Sequence, residues 1–237
     1  MGCDQAMSGV LHGIGTGPGD PELLTARAIR LIGGTEHIFH IEADGKPSRA
    51  LATAKEHISP VTRLHPINMP MRSNPTLGAS TYDEAAGAIR SHVENGRTVS
   101  VLCEGDPLLY GSFIHLMERL EKDIRIEITP GVPSFLAAGA ALGQGIARRT
   151  EPVALLPGTM DEDRLLACLH TTDFAAVLKT GRHLPKVRRA LASAGFTDAQ
   201  VIQEASGNGQ KIVDLDEING DSLPYFSIIL AWREKRP

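Results

Sequence analysis

The stretch GIGTGPGDPELLT, Gly13 to Thr25, decides the reading of the fold, because it ends an apolar lead-in (Val10, Leu11, Ile14) with four alternating glycines and then starts a helix. Glycine accepts positive φ and lets backbones approach closely. Asp20, Pro21 and Glu22 suit the cap, the first turn and the positive end of a helix. The expected local structure is a strand, a loop bare of side chains and a helix. Two phosphate-binding patterns fail here. A G-x-G-x-x-G register meets Pro18 or Asp20 where its third glycine belongs, and no Gly-Lys-Ser/Thr follows. Asp20 would also repel a phosphate at the helix start, which leaves either a loop beside a neutral or cationic ligand or a plain strand-to-helix turn.

Two further turns of this kind decide between those readings. EGDPLLYGS, Glu104 to Ser112, follows the apolar run Val99, Val101, Leu102, Cys103, and TPGVPS spans Thr129 to Ser134. Three strand ends that each carry a Gly/Pro turn point to one crevice at the carboxyl edge of a parallel sheet, where open α/β folds bind ligands. Periodicity predicts strands at 36–41, 61–66, 98–103, 124–129, 153–156, 175–179 and 201–204. It predicts helices at 47–58, 82–95, 110–122, 161–170 and 184–194, with a small-residue helix in SFLAAGAALG. INMPMRSNPTLGAS, Ile67 to Ser80, reads as a long loop, and Lys211–Leu215 with Tyr225–Trp232 as a final antiparallel pair. The alternation implies two α/β domains, 8–130 and 131–237.

Composition narrows the partners. Of 237 residues, 24 are Lys or Arg and 28 Asp or Glu, so the formal charge of −4 provides no general field for a nucleic acid. Cys3, Cys103 and Cys168 are odd in number and lack C-x-x-C spacing, which argues against a disulfide framework or a zinc site and fits a reducing cytoplasm. The longest small-apolar run, Phe135 to Leu142, is too short to span a bilayer, so no membrane partner is expected.

GPGDPELLT, EGDPLLYGS and TPGVPS, in this order and spacing, resemble the tetrapyrrole (uroporphyrinogen-III/corrin) methyltransferase family, and the resemblance runs from about residue 8 to 232. Glu104, the runs LPGTMDEDRL (Leu156–Leu165) and LKTGRHLPKVRRAL (Leu178–Leu191), and PYFSIIL (Pro224–Leu230) resemble the branch that methylates precorrin-2 at C20 in cobalamin synthesis. The resemblance implies two α/β domains with a ligand cleft between them, S-adenosyl-L-methionine as methyl donor, a small-molecule tetrapyrrole substrate and a homodimer. The apolar final strand, with Phe226, Ile228 and Trp232, adds a reason to expect pairing. It also implies cofactor contacts at Pro18, Glu104, Gly105, Asp106, Leu109, Pro133 and Ser134, with Thr180 and Ala205 as two further strand-end contacts. For Asp106 a local cap ahead of Pro107 is an equally sound role.

The substrate so implied carries many carboxylates, so its site should contain cationic side chains. Arg72, Arg182 and His183 are the candidates, with Arg148, Arg149 and Lys186 behind them. Methyl transfer from a sulfonium needs no covalent enzyme intermediate, in keeping with a chain that shows no Ser-His-Asp or Cys-His signature; alignment of donor and acceptor can supply about 7–11 kcal/mol. A base would help the methylated carbon lose its proton, and Asp20 and Glu104 are the acidic candidates. Other readings are methylation of a different tetrapyrrole carbon and a non-catalytic adenosylmethionine-binding module, since a fold does not fix a function.

Overall fold

The apolar lead-in VLHGIG forms β1 (Val10–Gly15), an interior strand of a parallel sheet, in a computed structural model that describes residues 9–70 and 75–234. The chain divides into two compact units that meet at Pro133 and Ser134.

In the first unit α1 (Ala26–Gly34) leads to β2 (His37–Ala43), and α2 (Arg49–Ala54) leads to β3 (Arg63–Met69). There follow α3 (Pro75–Glu94), β4 (Thr98–Cys103), α4 (Phe113–Leu120) and β5 (Ile126–Thr129). The sheet order is β3-β2-β4-β1-β5 and every pairing is parallel. The chain moves outward one way from β1 to β2 and β3, then returns to β4 beside β1 and leaves for β5 on the other side. The topological switch therefore lies where β1, β4 and β5 end. Strand alternation sorts the core. Leu11, Phe39, Val99 and Val101 face α3 and α4, whereas Ile14, Ile38 and Leu102 face α1 and α2. Gly13 belongs to the α4 face, because a Cβ there would come within 2.4 Å of the Phe113 ring.

The second unit contains α5 (Ser134–Leu142), β6 (Val153–Pro157), α6 (Glu162–His170) and β7 (Phe174–Leu178). It continues with α7 (Leu184–Ser193), β8 (Asp198–Gln203), β9 (Lys211–Asp214) and β10 (Ser227–Trp232). Its sheet order is β6-β7-β10-β8-β9. Ala175, Val177, Ile229 and Ala231 pack toward α6 and α7; Phe174, Ala176, Leu230 and Trp232 pack toward α5.

Four sequence expectations need correction. Asp20 does not cap the first long helix. It caps a single 3₁₀ turn, Pro21–Leu23, by accepting from Glu22 N–H at 2.9 Å, and Thr25 caps α1 by accepting from Ala28 N–H at 3.1 Å. The loop expected over Ile67–Ser80 is instead the end of β3 and the start of α3, with residues 71–74 outside the described set. Its Pro and Asn suggested a loop, but Pro75 sits at the first position of α3, where a missing N–H costs nothing. The final strands do not pair with each other: β10 inserts antiparallel between β7 and β8, and β9 pairs with the far side of β8. Insertion also covers β10 from within its own unit. Ile228 and Trp232 are buried and only Tyr225 and Phe226 remain exposed, so the apolar strand gives no argument for a dimer.

Candidate functional site

The three glycine turns of the first unit are bonded to one another at the switch point. Gly17 and Gly105 form an antiparallel bridge, with N–H to carbonyl distances of 3.3 and 2.8 Å in the two directions. Gly105 makes it with φ +64°, a left-handed backbone that disfavours any Cβ. Thr16 joins the same two loops by donating to the Cys103 carbonyl through both its N–H, at 2.8 Å, and its hydroxyl, at 3.1 Å. The third turn lies against the others backbone to backbone. A Cβ on Gly131 would fall 2.1 Å from the Gly105 oxygen, and one on Gly15 would fall 2.5 Å from the Gly131 nitrogen.

Asp106 fastens this arrangement. One carboxylate oxygen accepts from Leu108 N–H at 2.9 Å, and the other accepts from Gly131 N–H at 3.1 Å. The local cap expected from the sequence is thus present, and with it a tie of 25 residues' separation that spacing did not reveal. Gly105, Asp106 and Leu109 stand half-buried on the turn after β4, and Pro18 is half-buried on the first turn. Pro133 and Ser134 are also half-buried, one on either side of the division between units.

Two residues of α2 support the first turn and escaped the sequence reading. Arg49 donates to the Pro18 carbonyl at 3.5 Å, and the Thr53 hydroxyl shares its proton between the Arg49 carbonyl at 3.0 Å and the Gly19 carbonyl at 3.4 Å. Both lie more than 30 positions from the residues they hold, so no local pattern marks them. Arg49 also acts on Glu104. The Glu104 side chain keeps contact with solvent, yet the protein around it pushes its carboxyl up from the ordinary value, and the Arg49 guanidinium opposes that rise. A carboxyl raised in this way accepts a proton more readily than an ordinary carboxylate, whereas the Asp20 side chain caps the Pro21–Leu23 turn. Cys103 is chemically quiet, because burial, with the Asp106 and Glu104 carboxylates beside it, pushes its thiol far up.

In the second unit the ends of β7 and β8 lie on one edge of the sheet, because both strands run antiparallel to β10. Thr180 and Ala205 follow them and are buried. The Thr180 hydroxyl has no hydrogen-bond partner among the described residues. Beside these positions Lys179 and Glu204 take φ of +55° and +47°, an uncommon state for non-glycine residues that concentrates at working sites. Arg182 and His183 occupy the 3₁₀ turn Gly181–His183 directly after Thr180, Arg182 exposed and His183 half-buried. Desolvation, then the Lys186 and Arg182 charges, lowers the His183 pKa from its ordinary value. Lys186 donates to the Met160 carbonyl, and Arg148 and Arg149 are exposed in a turn closed by Glu151. Arg72 lies outside the described residues.

The fold and the knotted turns define the class: a protein of two α/β units whose first sheet presents a side-chain-free backbone cradle at its switch point. Residues 10–219 match the family described as Tetrapyrrole (Corrin/Porphyrin) Methylases. The chain is 34% identical to a precorrin-2 C(20)-methyltransferase of a Sinorhizobium species, over 97% of this chain and all of that one. It is 30% identical to the cobalt-precorrin-2 C(20)-methyltransferase of Salmonella typhimurium, over 95% of this chain and 97% of that one. Among solved structures, the uroporphyrin-III C-methyl transferase of Thermus thermophilus complexed with S-adenyl homocysteine superposes with a TM-score of 0.70 at 20% identity, over 94% of this chain and 97% of that one, a likeness of fold. This chain belongs to the tetrapyrrole methylases.

Proposed function

We propose that the chain transfers a methyl group from S-adenosyl-L-methionine to C20 of precorrin-2, or of its cobalt-bearing counterpart, in cobalamin synthesis. The observation that carries this reading is the end-to-end identity of 34% with a precorrin-2 C(20)-methyltransferase. At Gly105 the space a Cβ would fill is open, which lets a ligand meet backbone directly there and supports an adenosyl ligand at the turns. S-adenosylmethionine supplies an activated methyl, whose sulfonium sulfur leaves as a neutral thioether when the new carbon–carbon bond forms.

What remains for the protein is to hold, to orient and to move one proton. Pro18, Gly105, Asp106, Leu109, Pro133 and Ser134 are assigned to cofactor contact, with Thr180 and Ala205 as further contacts. Asp106 shapes the second and third turns through the two bonds described above. The methylated carbon must shed a proton, and of the two acidic candidates Glu104 is assigned as acceptor, because its raised pKa favours the protonated form while Asp20 caps the Pro21–Leu23 turn. Arg182 and His183 are assigned to the substrate carboxylates, Arg182 as a fork that can make two parallel bonds.

Among the described residues no helix is long and apolar enough to cross a membrane. A cytoplasmic homodimer is part of the proposal, supported by family resemblance. Anaerobic assay with metal-free precorrin-2 and with its cobalt form, read by the mass gain of one methyl and by product absorption, tests the activity. Binding of S-adenosylmethionine without turnover of either substrate would refute it.

A further inference from the structure

The amino-terminal edge of the first sheet, opposite the glycine turns, carries a histidine cluster that methyl transfer does not use. His37 opens β2 and His65 is the third residue of β3. The register pairs Phe39 with His65, so His37 and His65 project on the same face, the face covered by α3. His92, in the last turn of α3, stacks on His37 with ring centroids 3.9 Å apart and lies 5.4 Å from the His65 ring. One ring nitrogen from each of the three lies within 4.8 Å of the others. His37 is buried, whereas His65 and His92 retain partial contact with solvent.

We propose that His37, His65 and His92 form a binding site for a single borderline divalent transition ion of the zinc or nickel type. Imidazole suits such ions, and the absence of a carboxylate from the grouped ligands disfavours magnesium and calcium, which require oxygen. Tetrahedral zinc with Zn–N bonds of about 2.0–2.1 Å sets its nitrogens about 3.3 Å apart. His37 Nδ1 and His65 Nε2 now stand at 2.9 Å, so small ring movements convert the cluster. Three protein ligands leave a fourth position for water, the arrangement of open rather than structural zinc sites. Desolvation first, and neighbouring charges that in each case include Arg63, lower the pKa of all three.

Two arginines face the cluster and set its affinity. Arg63 acts on all three rings through its charge, and Arg97 lies 3.1 Å from His37 Nε2. A guanidinium only donates, so Arg97 fixes Nε2 as an acceptor and leaves Nδ1–H to donate to His65 Nε2. An ion bound at His37 displaces Arg97 in either case: at Nε2 it takes the position of the guanidinium, and at Nδ1 it moves the ring proton to Nε2, which can then no longer accept from Arg97. Arg97 is exposed and can turn to solvent.

Zinc ion alone and magnesium ion alone should be titrated into the full chain, read by calorimetry and by melting temperature. The expected result is one zinc per chain, a melting temperature that rises with zinc concentration, and no response to magnesium. His92→Ala should weaken zinc roughly tenfold or more, while Arg97→Met, which removes the competing cation, should tighten it. His92→Gln serves as a second variant if His92→Ala does not melt cooperatively. No zinc binding by the native chain, or equal binding by the native chain and a folded His92 variant, overturns the proposal. So does weaker binding by Arg97→Met, which would make Arg97 a support of the site rather than its competitor.

Discussion

Replacing Asp106 by alanine removes two hydrogen bonds at once, and their positions give an expected cost. The bond to Leu108 N–H is exposed and resembles a cap, a class worth about 0.5–2 kcal/mol. The bond to Gly131 N–H is partly buried and reaches a carboxylate, a class worth about 1.5–3 kcal/mol. Asp106 is only half-buried, so the lower half of each range applies, and the sum is about 2–3 kcal/mol. For a chain of this size that lowers the first melting transition by roughly 5–10 °C. Asp106→Asn keeps one acceptor oxygen and should lose about half as much. The same change frees the third turn from the second, so affinity for S-adenosylhomocysteine should fall in parallel when calorimetry is run on folded protein. The assay pair is differential scanning calorimetry with binding calorimetry on native, Asn and Ala proteins. If Asp106→Ala melts with the native protein, the tie to Gly131 contributes nothing and the account of the knot is wrong. If it melts early yet binds the ligand as tightly as the native chain, Asp106 serves the fold alone.

Gly131→Ala would drive a Cβ to within 2.1 Å of the Gly105 carbonyl, and no flexible side chain is there to yield. It should cost about 1–3 kcal/mol or more and abolish ligand binding, whereas wild-type affinity in the folded variant would show that the turns need not touch. Arg182→Ala should raise the Michaelis constant for the tetrapyrrole roughly 10-fold to 100-fold at low salt and leave the methyl donor nearly unaffected; loss of donor affinity instead would move Arg182 to the other ligand. Acidification should destabilise the first unit. His12, His37, His40, His65 and His92 all have folded pKa values lowered first by burial, so the unfolded chain takes up protons before the folded one. Their contribution is intact above the ordinary imidazole value of about 6.5 and is lost as pH falls below it. Glu104, with a raised carboxyl, works in the opposite direction but is a single group. A melting temperature that stays level or rises from pH 7.5 to 5.5 would contradict the assignment.

Much of this protein is legible in one dimension, because strand period, helix period and turn chemistry are local properties. The second and third Gly/Pro turns marked the strand ends at 103 and 129, while the first two glycines of the opening stretch proved to lie within β1; β4 was placed residue for residue, since an apolar run bounded by Gly96 and the Glu104–Gly105 turn admits little else. The order of residues in those turns was also sufficient to bring out the family resemblance. Tertiary structure decided what depends on pairing across distance. It placed β10 between β7 and β8 rather than beside β9, because burying Ile228, Ile229 and Trp232 on both faces of a central strand removes more apolar surface from water than a terminal hairpin would. It brought Gly15, Gly105 and Gly131 into backbone contact and set Arg49 and Thr53 beneath the first turn, relations that no spacing encodes. It likewise gathered His37, His65 and His92 from two strands and a helix. In the sequence they are three isolated histidines 27 or 28 positions apart, and only parallel register with a covering helix makes them neighbours.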